Sequence, residues 1–361
     1  MRQEQYIQLR QELENQLPSY VREYTLDSNR SDSTKYEYLK EYLRFFTWLQ
    51  NANIVDCPTD QIPTEVLENL RRLDIRAYID TLLSEKKNDG KKRSPTTVNR
   101  TINALRSLFK YLTITSDGND GKPYFEHNVM LSIESINSKE TLNYRADSIE
   151  PQLYRGNIKF NFIDFVENIY ENDFCSKRQR TFFLKNKTRD LAIIALLAGT
   201  GARVSEVANA DISDVQLSTN TLFVLRKGNR RDSVPIAPWA IPYLEDYMTL
   251  RENMNTIDIP TKAVFIAKNH GKFNRITTTS VEIMIKKYST AFGRPITPHK
   301  LRHTLASEIY SETKDLVLVS QQLGQKGTTA TALYTHVGKE KQRDILDKIS
   351  FRKVSDNKHG L

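Results

Sequence analysis

The chain has 361 residues and carries 53 Lys and Arg against 44 Asp and Glu, a formal charge of +9. That length exceeds what one hydrophobic core usually organises, so two domains are expected, and the basic balance favours a polyanionic partner such as nucleic acid over an acidic small molecule. No stretch approaches the roughly 18 apolar residues of a membrane span, Met1-Arg2-Gln3-Glu4-Gln5 lacks a signal-peptide core, and the two cysteines, Cys57 and Cys175, match no metal-ligand or redox spacing, so a cytoplasmic protein with free thiols is expected.

The first third reads as helices. Thr34 and Glu37 have capping-box spacing, and Tyr36, Leu39, Leu43, Phe46 and Leu49 follow at helical intervals. A second helix opens with Ser94 as cap and Pro95 at the first helical position, after which Val98, Ile102, Leu105, Phe109 and Leu112 form one apolar stripe. Its other face carries Arg100, Asn103, Arg106 and Lys110, and Lys86, Lys87, Lys91, Lys92 and Arg93 crowd the turn before it. A basic helix face is by default a solvated one. Cations clustered beside a helix N-terminus also suit a phosphate backbone, which makes Lys91, Lys92, Arg93, Arg100, Arg106 and Lys110 the candidate DNA contacts.

Beyond Thr115 the pattern loosens, with a linker expected near 136–155 between an N-terminal helical domain over 1–140 and a second domain over 155–361. That second domain opens with helical pattern from Phe162 to Tyr170, followed by a helix over Asp190 to Ala198 that is apolar nearly all round and should be buried. Thr221 to Leu225, Lys227-Gly228-Asn229 and Ser233-Val234-Pro235-Ile236 read as a hairpin, with helical pattern thereafter. The expected class is mainly α, with a small antiparallel sheet or hairpin in the second domain.

Phosphoryl transfer at DNA needs a nucleophile, donors for two non-bridging oxygens and a proton source for the leaving oxygen. Arg203, just after the buried helix and a Thr-Gly turn, could meet the phosphate, and Glu206, three residues on, is placed to orient its guanidinium. Thr297 and Pro298 should start a helix on which His299 and Arg302 share a face, a bidentate donor beside an imidazole. The His299–His303 spacing also suits zinc, but the position after His299 is Lys300 where a zinc protease helix needs Glu, so no metal is assigned. Lys227, at the hairpin tip, could protonate a departing hydroxyl. Tyr334 is one of 17 tyrosines, and nothing local singles it out.

These residues, in this order, resemble the tyrosine recombinase family of phage-integrase-like site-specific recombinases, most nearly the bacterial Xer recombinases of the XerS type. The family's marks stand here as Thr200-Gly201-Ala202-Arg203-Val204-Ser205-Glu206, Lys227-Gly228, His299-Lys300-Leu301-Arg302-His303, and Leu323-Gly324-Gln325 followed nine residues later by Tyr334, in register over more than 130 residues. The resemblance implies that Tyr334 attacks the scissile phosphate to give a 3′-phosphotyrosyl link and a free 5′-hydroxyl. Arg203, Arg302 and His299 would then stabilise the transition state, Lys227 would be the acid, and His303 and His336 would stand at one remove. Gln325 departs from the usual His or Trp; its amide can donate a hydrogen bond but carries no charge.

The resemblance further implies an N-terminal core-binding domain and a C-terminal catalytic domain, with no metal, ATP or other cofactor. It implies four protomers on two double-stranded DNA sites, with a last helix packing into a neighbour; residues 340–350 could supply it, though Ile345, Leu346 and Ile349, at i, i+1 and i+4, are equally consistent with a helix packing on its own domain. It also implies chromosome-dimer resolution at a dif-like site with an FtsK-like DNA translocase as activator. Alternatives are a mobile-element integrase, a type IB topoisomerase, a DNA-binding protein that has lost catalysis, and a metal-dependent nuclease.

Overall fold

The structure, a computed structural model, describes residues 3–86, 90–118, 121–137, 140–226, 230–254, 262–269, 271–325, 327–329, 331–337 and 346. The chain forms two compact units, Met1–Lys139 and Glu140–Leu361.

In the first unit the helices are α1 (Gln3–Glu14), α2 (Ser19–Asp27), α3 (Asp32–Asn51), α4 (Thr64–Glu68), α5 (Arg72–Ser84) and α6 (Pro95–Lys110). The cap of α3 is Ser31, whose hydroxyl accepts the Thr34 N–H at 3.4 Å, so Thr34 sits inside the first turn and is capped rather than capping. Leu39, Tyr42, Phe45, Phe46 and Leu49 bury one side of α3, in the same core as the predicted stripe Val98, Ile102, Leu105, Phe109 and Leu112. Ser94 caps α6 as expected, accepting the Thr97 N–H at 3.2 Å ahead of Pro95. Within this core Glu41 is a buried carboxylate satisfied by the Thr101 hydroxyl at 2.8 Å and the Arg44 guanidinium at 2.6 Å.

The second unit begins with α7 (Leu142–Ile149), in the stretch read as linker, and α7 packs against the 3₁₀ turn Ala332–His336. There follow α8 (Asn157–Asp164), α9 (Tyr170–Asp173), α10 (Lys177–Thr200), α11 (Val204–Asn209), β1 (Val215–Gln216), β2 (Thr221–Arg226), β3 (Arg230–Pro235) and α12 (Ile241–Met254). The unit continues with β4 (Ile266–Asn269), β5 (Lys272–Arg275), α13 (Thr278–Ala291), α14 (Pro298–Thr313) and α15 (Leu316–Leu323). Strands β1, β2 and β3 form one antiparallel sheet. The β4–β5 hairpin was not legible, because Ile266-Ala267-Lys268-Asn269 and Lys272-Phe273-Asn274-Arg275 are short and mostly polar.

Helix α10 is the axis of this unit. Ser176 and Gln179 cap it reciprocally, and from Asp190 to Thr200 every residue is buried. Its polar members are paired inside: the Tyr288 hydroxyl donates to Asp190 at 2.6 Å and Arg189 to the other oxygen at 2.6 Å. Leu222, Val224, Val234, Leu244, Phe265, Ile285 and Leu301 complete the core around it. The class is mainly α with small antiparallel sheets. Among the described residues no helix is long and apolar enough to cross a membrane, and no group of three or more His, Cys, Asp or Glu is placed to hold a metal ion. Cys57 and Cys175 carry free thiols.

Candidate active site

Helix α10 ends where the site begins. Gly201 takes φ +66° as its C-terminal cap, and a methyl group there would come within 3.1 Å of Leu305 and 3.2 Å of Leu323. The chain then turns to Arg203, which precedes α11. The Arg203 backbone N–H donates to Oε2 of Glu206 at 2.8 Å, and its Nη1 donates to Oε1 at 2.8 Å. Glu206 is buried, whereas the Arg203 side chain stays 42 % exposed, an anchored cation with an open end.

Arg302, on α14, is 3 % exposed and bridges two helix termini: Nη1 donates to the Gly201 carbonyl at 2.6 Å and Nη2 to the Leu323 carbonyl at 2.7 Å. These are C-terminal carbonyls that α10 and α15 leave without helical partners, and a buried guanidinium satisfies both. Burial, with Arg203 close by, lowers its pKa to about 10, so it remains a cation at neutral pH.

One turn of the same helix carries both imidazoles. His299 is exposed near the N-terminus of α14, and its ring meets that of His303 edge-on with centroids 4.4 Å apart. Partial desolvation of its ring, which is only partly covered, and the neighbouring Arg302 hold His299 below the usual histidine value, and burial with His299 beside it pushes His303 down to about 4. Both rings are therefore neutral at pH 7.

Tyr334 lies in the 3₁₀ turn Ala332–His336 and is 3 % exposed, packed on Ala306, Val319 and Leu323. Its hydroxyl is 2.8 Å from Nδ1 of His303. Burial raises the phenol to about 12 against the opposing pull of Arg302. His303, expected at one remove, is thus in direct contact with the tyrosine oxygen, while His336 is half-buried at the end of the same turn. Gln325 follows α15, its backbone N–H on the Ser320 carbonyl at 2.9 Å, and its Oε1 is buried without a hydrogen-bond partner among the described residues.

Lys227 lies outside the described residues; the strands around it pair in register up to Arg226 and Arg230. Arg226 itself was missed. It is 5 % exposed, its Nη1 donates to both oxygens of Glu206 at 3.1 and 2.9 Å, and its Nε donates to Asp232 at 3.0 Å. Period-two alternation in Thr221–Arg226 puts it on the same inward face as Leu222 and Val224, which was the available signal. A cleft of about 680 Å³ lies between the β2–β3 hairpin and α15, lined in part by Arg226, Arg230, Arg231, Gln321, Gly324 and Gln325.

In the first unit the basic residues divide. Lys91, Lys92 and Lys110 are exposed. Arg93 pairs with Glu85 at 2.9 Å, Arg100 with Glu37 at 2.6 Å, and Arg106 donates to Ser135 at 2.9 Å and to the Ile133 carbonyl. Of the helix expected near 340–350, Leu346 is described and exposed, and Ile345 and Ile349 lie outside the described residues.

The phage integrase family model matches residues 172–341, and the model of the phage integrase N-terminal SAM-like domain matches 17–115. The tyrosine recombinase XerS of Streptococcus agalactiae serotype III (strain NEM316) is 44 % identical over 357 residues, spanning 97 % of this chain and 100 % of that protein. The chain belongs to the phage integrase family of tyrosine recombinases. It is therefore an enzyme that breaks and rejoins DNA. The XerS proteins of Streptococcus mutans and of Lactococcus lactis subsp. lactis are each 43 % identical, with the same 97 % of this tyrosine recombinase and 100 % of those proteins aligned.

Solved structures share the fold. The XerH site-specific recombinase bound to palindromic difH substrate, in a post-cleavage complex, superposes with a TM-score of 0.63 at 18 % identity, covering 87 % of this recombinase and 78 % of that chain. A lambda integrase(75-356) dimer bound to a COC′ core site gives 0.54 at 15 % identity, covering 86 % and 96 %.

Proposed function

We propose that this tyrosine recombinase acts at a specific site on double-stranded DNA through Tyr334 as nucleophile. The phenol oxygen bonds to the scissile phosphorus, the 5′-oxygen departs with a proton as a free hydroxyl, and a 3′-phosphotyrosyl link conserves the phosphodiester energy. His303 takes the phenol proton as the oxygen attacks. Arg203 and Arg302 neutralise the non-bridging oxygens, with His299 and the amide of Gln325 adding hydrogen bonds. Lys227 supplies the proton to the leaving oxygen. No metal or ATP enters this scheme.

The observation that supports this reading is the 2.8 Å contact between the Tyr334 hydroxyl and His303 Nδ1, on the same helix as His299 and Arg302. One helix and one turn thereby bring nucleophile, imidazole and guanidinium together. Its similarity to XerS and XerH recombinases supports the wider role. XerS relatives and a XerH structure holding difH DNA suit resolution of chromosome dimers at a dif-like site in the cytoplasm. That role involves four protomers on two DNA sites and activation by an FtsK-like DNA translocase, with unit Met1–Lys139 as core-binding domain and unit Glu140–Leu361 as catalytic domain.

The test is incubation with a suicide DNA that carries the site, followed by a denaturing gel. The parent protein should give a covalent adduct and Tyr334→Phe none; an adduct from Tyr334→Phe overturns the assignment. Junction formation on two-site DNA, rather than relaxation of supercoils alone, separates recombination from topoisomerase action.

A further inference from the structure

Arg226 is a buried cation that the scheme above does not use. Its guanidinium sits between two catalytic segments. On one side it shares the Glu206 carboxylate with Arg203: Oε1 accepts from Arg203 at 2.8 Å and from Arg226 at 3.1 Å, and Oε2 accepts from Arg226 at 2.9 Å. On the other it lies flat against Gly324, where a methyl group would fall 2.4 Å from the guanidinium carbon. Gly324, at φ +58°, joins α15 to Gln325. Residue 226 is also the last of β2 before Lys227, and Asp232, its diagonal neighbour on β3, holds Nε at 3.0 Å.

This sharing has an electrostatic consequence. A carboxylate paired with Arg203 alone would cancel that guanidinium's charge, leaving little attraction for a phosphate. With a second guanidinium on the same buried carboxylate, Glu206 no longer cancels Arg203 alone; Arg226 also pairs with Asp232, but that carboxylate is 41 % exposed and screened by solvent, so the buried part of the group stays net positive where Arg203 faces its open side. Arg226 bonds both carboxylate oxygens, so it also fixes the plane to which Arg203 is tethered. Its Nη2 is buried with no hydrogen-bond partner among the described residues. Tolerating an orphaned donor fits a side chain kept for its charge and placement.

We infer that Arg226 is a positioning residue for strand cleavage, which acts through Glu206 to hold Arg203 in place and leave its charge uncompensated. The inference rests on the proposed role of Arg203 at the phosphate.

The experiment measures single-turnover adduct formation on suicide DNA at saturating protein, DNA affinity by gel shift, and the thermal midpoint. It compares the parent, Arg226→Gln, Arg226→Lys, Glu206→Gln, the Glu206→Gln/Arg226→Gln double variant and Tyr334→Phe. Arg226→Gln should slow cleavage by about 10- to 100-fold, in the range of coupled charge networks, with affinity within about twofold of the parent. Arg226→Lys, which restores the charge, should recover part of the rate. The double variant should be no slower than Arg226→Gln, because neutralising Glu206 returns to Arg203 the charge that the first change compensated. The inference is overturned if Arg226→Gln cleaves at the parent rate, if the two substitutions multiply, or if affinity falls as much as rate. Should Arg226→Gln not fold, Arg226→Lys against the parent decides, a rate loss at unchanged affinity being required. Parent-like cleavage by Arg226→Gln with Tyr334→Phe inactive sinks this inference alone; an adduct from Tyr334→Phe sinks the underlying reading.

Discussion

The Tyr334 hydroxyl lies 2.8 Å from Nδ1 of His303, two residues 31 positions apart in the chain. Burial holds the phenol protonated, with its pKa raised to about 12, and holds the imidazole neutral, with its pKa lowered to about 4. A protonated phenol beside a neutral imidazole is the charge state from which the proposed proton transfer starts. The same arrangement makes the contact sensitive to acid.

Cleavage should follow that sensitivity. Protonated His303 cannot accept at Nδ1, so the adduct-forming rate should be lost as pH falls through the imidazole value near 4 and be retained up to neutrality. A pH profile of single-turnover cleavage checks this. A rising limb centred above pH 7 would show that the imidazole is not held neutral.

Stability should show the matching linkage. In the unfolded chain His303 titrates at its ordinary value of 6.5, whereas in the fold it titrates near 4. Between those values the unfolded state binds the extra proton, so the stabilisation present above pH 6.5 declines as pH falls towards 4. His299 shifts in the same direction. Thermal midpoints measured from pH 7.5 to 4.5 should fall, and His303→Phe should flatten the dependence.

Arg302 serves the fold as well as the proposed chemistry. Replacing it by Met leaves the Gly201 and Leu323 carbonyls buried without the donors that now reach them at 2.6 and 2.7 Å. Denaturant titration should show a loss of about 2–4 kcal/mol, the usual scale for orphaned buried acceptors of charged donors. A stability equal to the parent's would mean that other groups or water replace both bonds.

The basic residues of the first unit should separate by role. Arg106 is bonded to Ile133 and Ser135, so Arg106→Ala should cost about 1–2 kcal/mol of stability. Lys110 is exposed, and Lys110→Ala should leave stability unchanged. If Lys110 meets a phosphate, that change also lowers the slope of log affinity against log salt by about one. Gel shifts across a salt series read this directly.

Excess chelator should leave adduct formation unchanged, because the proposed donors are all side chains. Loss of cleavage that added magnesium restores would replace this scheme with a metal-dependent one.

Much of the site could be read from local order in the chain. The Ser94–Pro95 start, the apolar stripe of α6, the buried run Asp190–Ala198 and the helix opening at Pro298, where Thr297 takes the cap position without a side-chain cap bond, all follow from spacing and near-neighbour geometry within a few residues. His299 and Arg302 share a face for the same reason, and the order of motifs gave the family. What local order could not supply were the pairings across long separations. Arg302 reaches Gly201 across 101 residues and Leu323 across 21, Arg226 reaches Glu206 across 20, and Tyr334 meets His303 rather than any of the other candidate acceptors. Which buried donor meets which acceptor depends on how helices and sheet pack around α10, and the hydrogen-bonding capacity of a residue is the same whether its partner is three positions away or a hundred. Only the tertiary structure could therefore turn a list of candidate residue types into a particular set of bonds, and only it could show that Arg226, unremarkable in the sequence, shares the Glu206 carboxylate with Arg203.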